Sequence, residues 1–189
     1  MSKNEVYSEY EMHNVSIRFR EEASASKFGC LGSCEETMGV KVVTKQCEGV
    51  TSYTRTKPDG TGELKISMHM AWEAFKRAYA LSNIGLKEGV YGYGALPHEE
   101  FCMSSGITDE EDNKKLKAYP RCVISSGKGT KIENGADTIA EVELTISVFA
   151  DEYGFVSYEA LEEEITDENL KSEWFTNFSP DLVRKKEDI

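Results

Sequence analysis

The chain has 189 residues, 39% of them hydrophobic and 30% charged, and its 34 acidic and 22 basic side chains give a net charge of −12. That length suits one domain, able to bury roughly 70% of its unfolded surface without a metal or disulfide staple, and the negative charge argues against binding nucleic acid over the outer surface. With no apolar leader and no run of about 18 apolar residues, neither a signal peptide nor a membrane span is expected. The five cysteines, Cys30, Cys34, Cys47, Cys102 and Cys122, are odd in number and lack scaffold spacing, which suits a reducing cytoplasm.

Residues 1–12 are polar, carry Tyr7 and Tyr10, and read as an N-terminal arm that is ordered only where something holds it. His13–Arg20 alternates as a strand, with Val15, Ile17 and Phe19 on one face and Asn14, Ser16, Arg18 and Arg20 on the other. Residues 21–39 (EEASASKFGCLGSCEETMG) hold small residues and three glycines without a sustained period. They predict a long loop, and loops of that length in a compact domain are often functional. Phe28 and Leu31 near its middle either fold back on their own domain or touch a neighbouring subunit.

Val40–Cys47 is rich in β-branched residues and predicts a second strand. Val50–Lys57 and Glu63–Met70 predict a hairpin turning on Pro58-Asp59-Gly60-Thr61-Gly62. Thr51, Ser52, Thr54 and Thr56 give its first half a wet or interfacial face. In the second half Leu64, Ile66, Met68 and Met70 alternate with Glu63, Lys65, Ser67 and His69. The chain then runs directly into a helix over 70–81, where Trp72, Phe75 and Tyr79 at i, i+3 and i+7 stack three aromatics on one face. In a sheet-rich chain such a helix lies across an open end or face of the sheet.

Residues 85–97 are glycine-rich, with Tyr91 and Tyr93. Glu99–Ser105 and Leu116–Ser126 predict strands joined by an acidic turn at Asp109–Asn113, and Pro120 argues for an edge or the start of a strand. After a turn over Lys128–Asp137 that contains Asn134-Gly135, Ile139–Ala150 gives the clearest strand pattern. Ala140, Val142, Leu144, Ile146 and Val148 face one way, and Glu141, Glu143, Thr145 and Ser147 face the other. Asp151–Gly154 ends it. Tyr158–Ile165 predicts a short helix, and Thr166 or Asp167 caps a second that shows Leu170, Trp174 and Phe178 at i, i+4 and i+8. Ser179 before Pro180 opens a last short helix with Leu182 and Val183. The expected organisation is one domain over 1–189, with a β core over 40–150 and a C-terminal helical arm over 151–189.

Nothing in the pattern assembles chemistry. His13, His69 and His98 are far apart and outside any metal-ligand spacing. Cys30 and Cys34 have no second pair to complete a zinc site. The run Asp109–Asn113 lacks the glycine and the bidentate glutamate of a calcium loop. Gly89, Gly92 and Gly94 are not followed by the helix start of a phosphate loop. No catalytic, cofactor or metal site is expected, and an enzyme is not supported.

Four stretches resemble the major tail tube proteins of long-tailed bacteriophages and related prophage elements. They are TRTKPDGTGELKISMHM running into AWEAFKRAYAL, KKLKAYPRCVIS, KIENGADTIAEVELTISVFADEYG, and SEWFTNFSPDLV, and together they cover about residues 50–183. The resemblance implies a mainly β fold, a β-sandwich or open barrel flanked by one α-helix, with an N-terminal arm, a long loop that makes inter-ring contacts and a C-terminal segment. It also implies six copies in a ring, with sheets joined into an inner barrel and rings stacked into a tube shared in fold with type VI secretion tubes. The implied partners are further copies of the chain, a tape measure protein, tail terminator and distal tail or baseplate proteins, and passing double-stranded DNA that is not read for sequence. The implied location is the virion tail, assembled in the bacterial host cytoplasm, without catalytic residues or cofactors. In that frame Glu141 and Glu143 face either the lumen or the outer surface, Phe28 and Leu31 are candidates for contacts between rings, and Trp72, Phe75 and Tyr79 clamp the helix over the core or at a subunit seam. A small ligand-binding β-barrel of the bacterial cytoplasm is the alternative, and it requires an apolar interior pocket.

Overall fold

Antiparallel strands dominate the chain, organised by a hairpin far longer than the five or six residues of an ordinary strand. The computed structural model describes residues 7–135 and 137–185. In order they form β1 (Glu11–Phe19), β2 (Ser26–Lys27), β3 (Gly29–Cys47), β4 (Val50–Met70), α1 (Trp72–Ala78), β5 (Phe101–Thr108), β6 (Lys114–Ile124), β7 (Val142–Phe149), β8 (Tyr158–Leu161) and α2 (Glu168–Glu173). Short 3-10 turns lie at Glu162–Glu164 and Pro180–Val183. All the strands belong to one sheet in the order β2-β1-β5-β6-β7-β4-β3, with β8 paired to β6. This is the mainly β fold with one helix after β4 that the alternating strands predict.

The two ends of that order, β2 and β3, lie on one run of chain. Ser26 and Lys27 pair with β1, the Phe28 amide donates to the Val15 carbonyl, and from Gly29 onward the chain pairs with β4. The sheet therefore curls round on itself and encloses its core. Strand alternation fills it: Val15, Ile17 and Phe19 from β1, Leu64, Ile66 and Met68 from β4, and Leu144, Ile146 and Val148 from β7 are all buried with Phe101, Met103 and Tyr119. Each large apolar side chain so buried contributes about 1.5–3 kcal/mol.

A second cluster sits on the other face of β6. Leu116 and Ala118 are covered there by Trp174 and Phe178, whose rings meet at 4.9 Å, and the Trp174 indole N–H donates to the Lys117 carbonyl at 3.3 Å. The C-terminal segment thus packs on its own barrel. Asp167 caps α2 by accepting from the Asn169 and Leu170 amides, and Ser179 accepts from the Leu182 amide ahead of Pro180, both as their residue types predict.

At one end of the barrel Lys117 points inward and is held by Glu36 of β3 and Glu159 of β8. Lys115 bridges Glu159 and Glu9. Burial works against the Lys117 charge, but the bond and charge of Glu36, then of Glu159, outweigh it and raise the pKa. At Glu159 burial is outweighed in the same way by Lys115 and Lys117, which lower its pKa. The described part of the N-terminal arm ends in this network: Tyr7 donates to the Ile107 carbonyl, and the Tyr10 amide to that of Thr108. Residues 1–6 of the expected arm lie outside the described residues, and 11–12 belong to β1.

Several expectations are corrected. The stretch 21–39 is not a loop beyond Gly29; it is the first half of a 19-residue strand. The expected turn at residues 58–62 is no reversal, because β4 runs unbroken for 21 residues through Pro58 and Gly60. The chain reverses at Glu48-Gly49, where both residues have positive φ, 53° and 79°, as a tight hairpin turn requires. Pro120 is neither at an edge nor at a strand start; it lies inside β6, where a register shift in the β5 ladder spares it the amide bond it cannot make. Tyr158–Ile165 is not a helix, since it forms β8 and a 3-10 turn. The helix expected over 70–81 spans Trp72–Ala78.

Candidate assembly surfaces

Among the described residues three exposed surfaces stand out, and each follows from the β3–β4 hairpin. β7 pairs with β4 only from Thr61 to Met68. Beyond Gly60, β3 and β4 pair with each other and with no other strand among the described residues, and residues 40–51 and 53–59 are all exposed. At about 3.3 Å per residue this ribbon extends roughly 30 Å past the body of the sheet. Its apolar members Val40, Val42, Val43, Val50 and Tyr53 are 45–69% exposed. The free side of β3 has no strand paired to it among the described residues. A long edge of that kind is a template for pairing with another chain unless something covers it.

The second surface is the outer face of β3, β4 and β7. Register places Thr37 beside Glu63 and Ser147, Glu35 beside Lys65 and Thr145, and Ser33 beside Ser67 and Glu143. Three rows across three strands thus hold hydroxyl and charged groups only. Glu143 is exposed on this face. Glu141 lies next to it, accepts from the Ser67 hydroxyl, and rests over Gly32, where a Cβ would strike its carboxylate. Both candidate glutamates therefore share one wet sheet face.

The third surface lies at the far end of β4, where α1 begins. The helix turns Ala74 and Ala78 to the sheet and buries both, because small side chains let it sit close. Tyr79 is fully buried and Phe75 half-buried, their rings 5.0 Å apart. Trp72 is 57% exposed and stacks on Phe75 at 5.8 Å. The three aromatics, expected over the core or at a subunit seam, therefore divide: Tyr79 is core, Phe75 is rim, and Trp72 is surface. Ile84, Leu86, Val90 and Leu96 in the following loop are exposed beside it in sequence. Arg77 pins the helix to the body through Glu22 at 2.5 Å and Glu99 at 2.6 Å.

Phe28 and Leu31 are placed differently from loop-tip contacts. Phe28 is fully buried, with its ring 5.9 Å from that of Phe101, and Leu31 packs half-buried on the same core. Of the two readings of these residues, folding back on their own domain describes the geometry. The projecting element that sequence reasoning missed is the ribbon 40–59; its signal was the uninterrupted polar and β-branched composition on both sides of Glu48-Gly49.

Among the described residues no group of three or more His, Cys, Asp or Glu converges, and all five cysteines are free thiols. Burial raises the Cys34 pKa to about 11 and that of Cys102 to about 12, which leaves both protonated and unreactive at neutral pH. Among the described residues no helix is long and apolar enough to cross a membrane.

No protein family model and no curated protein matches the chain. Among solved structures it is similar to a chain of the anti-feeding prophage cap, the tube-terminating cap, at 9% identity and a TM-score of 0.46, over 85% of this chain and 98% of that one. It is also similar to a chain of the six-fold symmetrised anti-feeding prophage baseplate at 11% identity and a TM-score of 0.39, over 85% and 97%. Similarity at this level assigns neither fold nor function.

Proposed function

We propose that the chain is a structural protein of a phage or phage-like tail that assembles with copies of itself into stacked rings, six to a ring, forming the tail tube. The ribbon 40–59 carries this reading. Its residues 40–51 and 53–59 are exposed and belong to neither the core nor a site, and a projecting paired edge of this kind suits contact with another molecule.

The remaining surfaces suit the same role. The free edge of β3 can accept a strand of an adjacent copy and continue the sheet from subunit to subunit. The wet face of β3, β4 and β7 would then line the bore, where Glu35, Glu63, Glu141 and Glu143 repel DNA phosphates and the hydroxyls keep the wall hydrated. Unlike surfaces at opposite ends of β4, the ribbon at one and Trp72 at the other, suit head-to-tail contacts, which generate rings and filaments. The resemblance of residues 50–183 to tail tube proteins supports the same assignment. It adds as partners a tape measure protein, terminator and distal tail or baseplate proteins, and passing DNA, with the virion tail as location and no enzymatic activity. A ligand-binding barrel fits less well, because Leu64, Ile66, Met68, Tyr119 and the Lys117–Glu36 pair occupy the interior.

The test replaces residues 41–57 with a two-residue turn. The shortened chain should keep its circular dichroism and remain monomeric at concentrations where the full chain sediments as large particles. Equal assembly by both chains would remove the ribbon as the carrier of this function.

A further inference from the structure

The ribbon has two unlike faces. Register places Lys41 opposite Lys57, Val43 opposite Arg55 and Lys45 opposite Tyr53 on one side. Val40 opposite Pro58, Val42 opposite Thr56 and Thr44 opposite Thr54 occupy the other. The first face is cationic and the second is neutral and β-branched. Residues 40–59 hold four basic side chains and two acids, Glu48 at the tip and Asp59 at the base, within a chain whose net charge is −12. The basic groups are also badly placed for an isolated ribbon, because like charges directly opposite one another in a ladder repel. Among the described residues no carboxylate forms an ion pair with Lys41, Arg55 or Lys57.

We infer that this cationic face docks on the acidic exterior of a second copy of the chain. The inference rests on the self-assembly reading above and names the chemistry of its contact. A second copy supplies an excess of carboxylates at the concentration of assembly, and each copy offers both halves of the match. Val43, Tyr53 and Arg55 are interleaved on the face, and aromatic and arginine side chains of this kind anchor protein interfaces. A nucleic acid partner is disfavoured because the acidic body behind the ribbon repels phosphates.

Two measurements test it. Protein labelled with 15N is mixed with unlabelled protein under assembly conditions and treated with a carbodiimide, which joins a lysine amine to an adjacent carboxylate. Cross-links from Lys41 or Lys57 to Asp or Glu of the other isotopic copy are expected, and they should vanish near 1 M salt, where screening acts within about 3 Å. In parallel, K41E/R55E/K57E should raise the concentration needed for assembly about 10- to 100-fold with an unchanged thermal midpoint, while K41R/K57R assembles normally. Assembly that ignores charge reversal, with links only inside one copy, overturns the docking face and leaves the tube reading standing. A native ribbon that instead retains duplex DNA, and loses it on charge reversal without a change in assembly, overturns it in favour of a nucleic acid contact. A wild-type chain that stays monomeric throughout overturns both.

Discussion

At the scale of single residues, Phe28 and Trp72 separate folding from assembly. Phe28 is buried where the sheet curls back on itself, in contact with Phe101. Phe28→Ala should therefore cost the monomer about 3–5 kcal/mol in urea unfolding. Trp72 is mostly exposed on the first turn of α1, so Trp72→Ala should change monomer stability by no more than about 1 kcal/mol while weakening assembly. A loss for Trp72→Ala as large as that for Phe28→Ala would place the indole in the core after all. The aromatic spacing of 72, 75 and 79 is a genuine helical stripe, but it does not fix which part of the stripe meets the sheet. Ala74 and Ala78 decided that, since a helix laid against a sheet end settles where its side chains are smallest.

At the scale of elements, the hairpin β3–β4 is where sequence and structure part, and the reason is physical. Alternation was legible in β1, β7 and the second half of β4 because each has one buried and one wet face. β3 beyond Met38 and β4 before Gly60 are wet on both faces, so nothing imposed a period on them. Pro58-Asp59-Gly60 has the local chemistry of a turn and uses it: Asp59 accepts from the Thr61 amide and hydroxyl, and Gly60 takes φ 87°. Pairing across β3, with a register shift between Met38 and Val40, converts that turn into an irregularity in a continuous strand. The true reversal at Glu48-Gly49 carries a weaker signal. Of the candidate surfaces, the paired positions of Glu141 and Glu143 on a polar face were legible from alternation, whereas the ribbon and the free edge were not. Because residues 41–51 and 53–57 are exposed, replacement of 41–57 by a short turn should leave the thermal midpoint within a few degrees, which differential scanning calorimetry measures directly.

At the scale of the whole molecule, one ionic network ties the N-terminal arm, β3, β6 and β8 together and gives stability a pH window. The Glu159 pKa is lowered in the folded chain, so its contribution is present above the ordinary value of 4.5 and is lost as pH falls below it. The Lys117 pKa is raised, so its contribution is present below 10.5 and is lost as pH rises beyond that. Urea midpoints should therefore hold level through neutral pH and fall below about 4.5. With Lys115 and Lys117 both changed to Met, the acid limb should flatten; an unchanged limb would assign it to other carboxylates.

The shape built from these elements is a small closed body with a long exposed ribbon at one end, an apolar rim at the other and a hydrated sheet face between them. Such a body is complete as a fold and incomplete as a surface, and further copies of itself are what complete it. Negative-stain electron microscopy of the purified full chain at high concentration tests that most directly. Rings, or long hollow tubes built of them, are the predicted result. Single particles of monomer size under every condition of salt and concentration would contradict it.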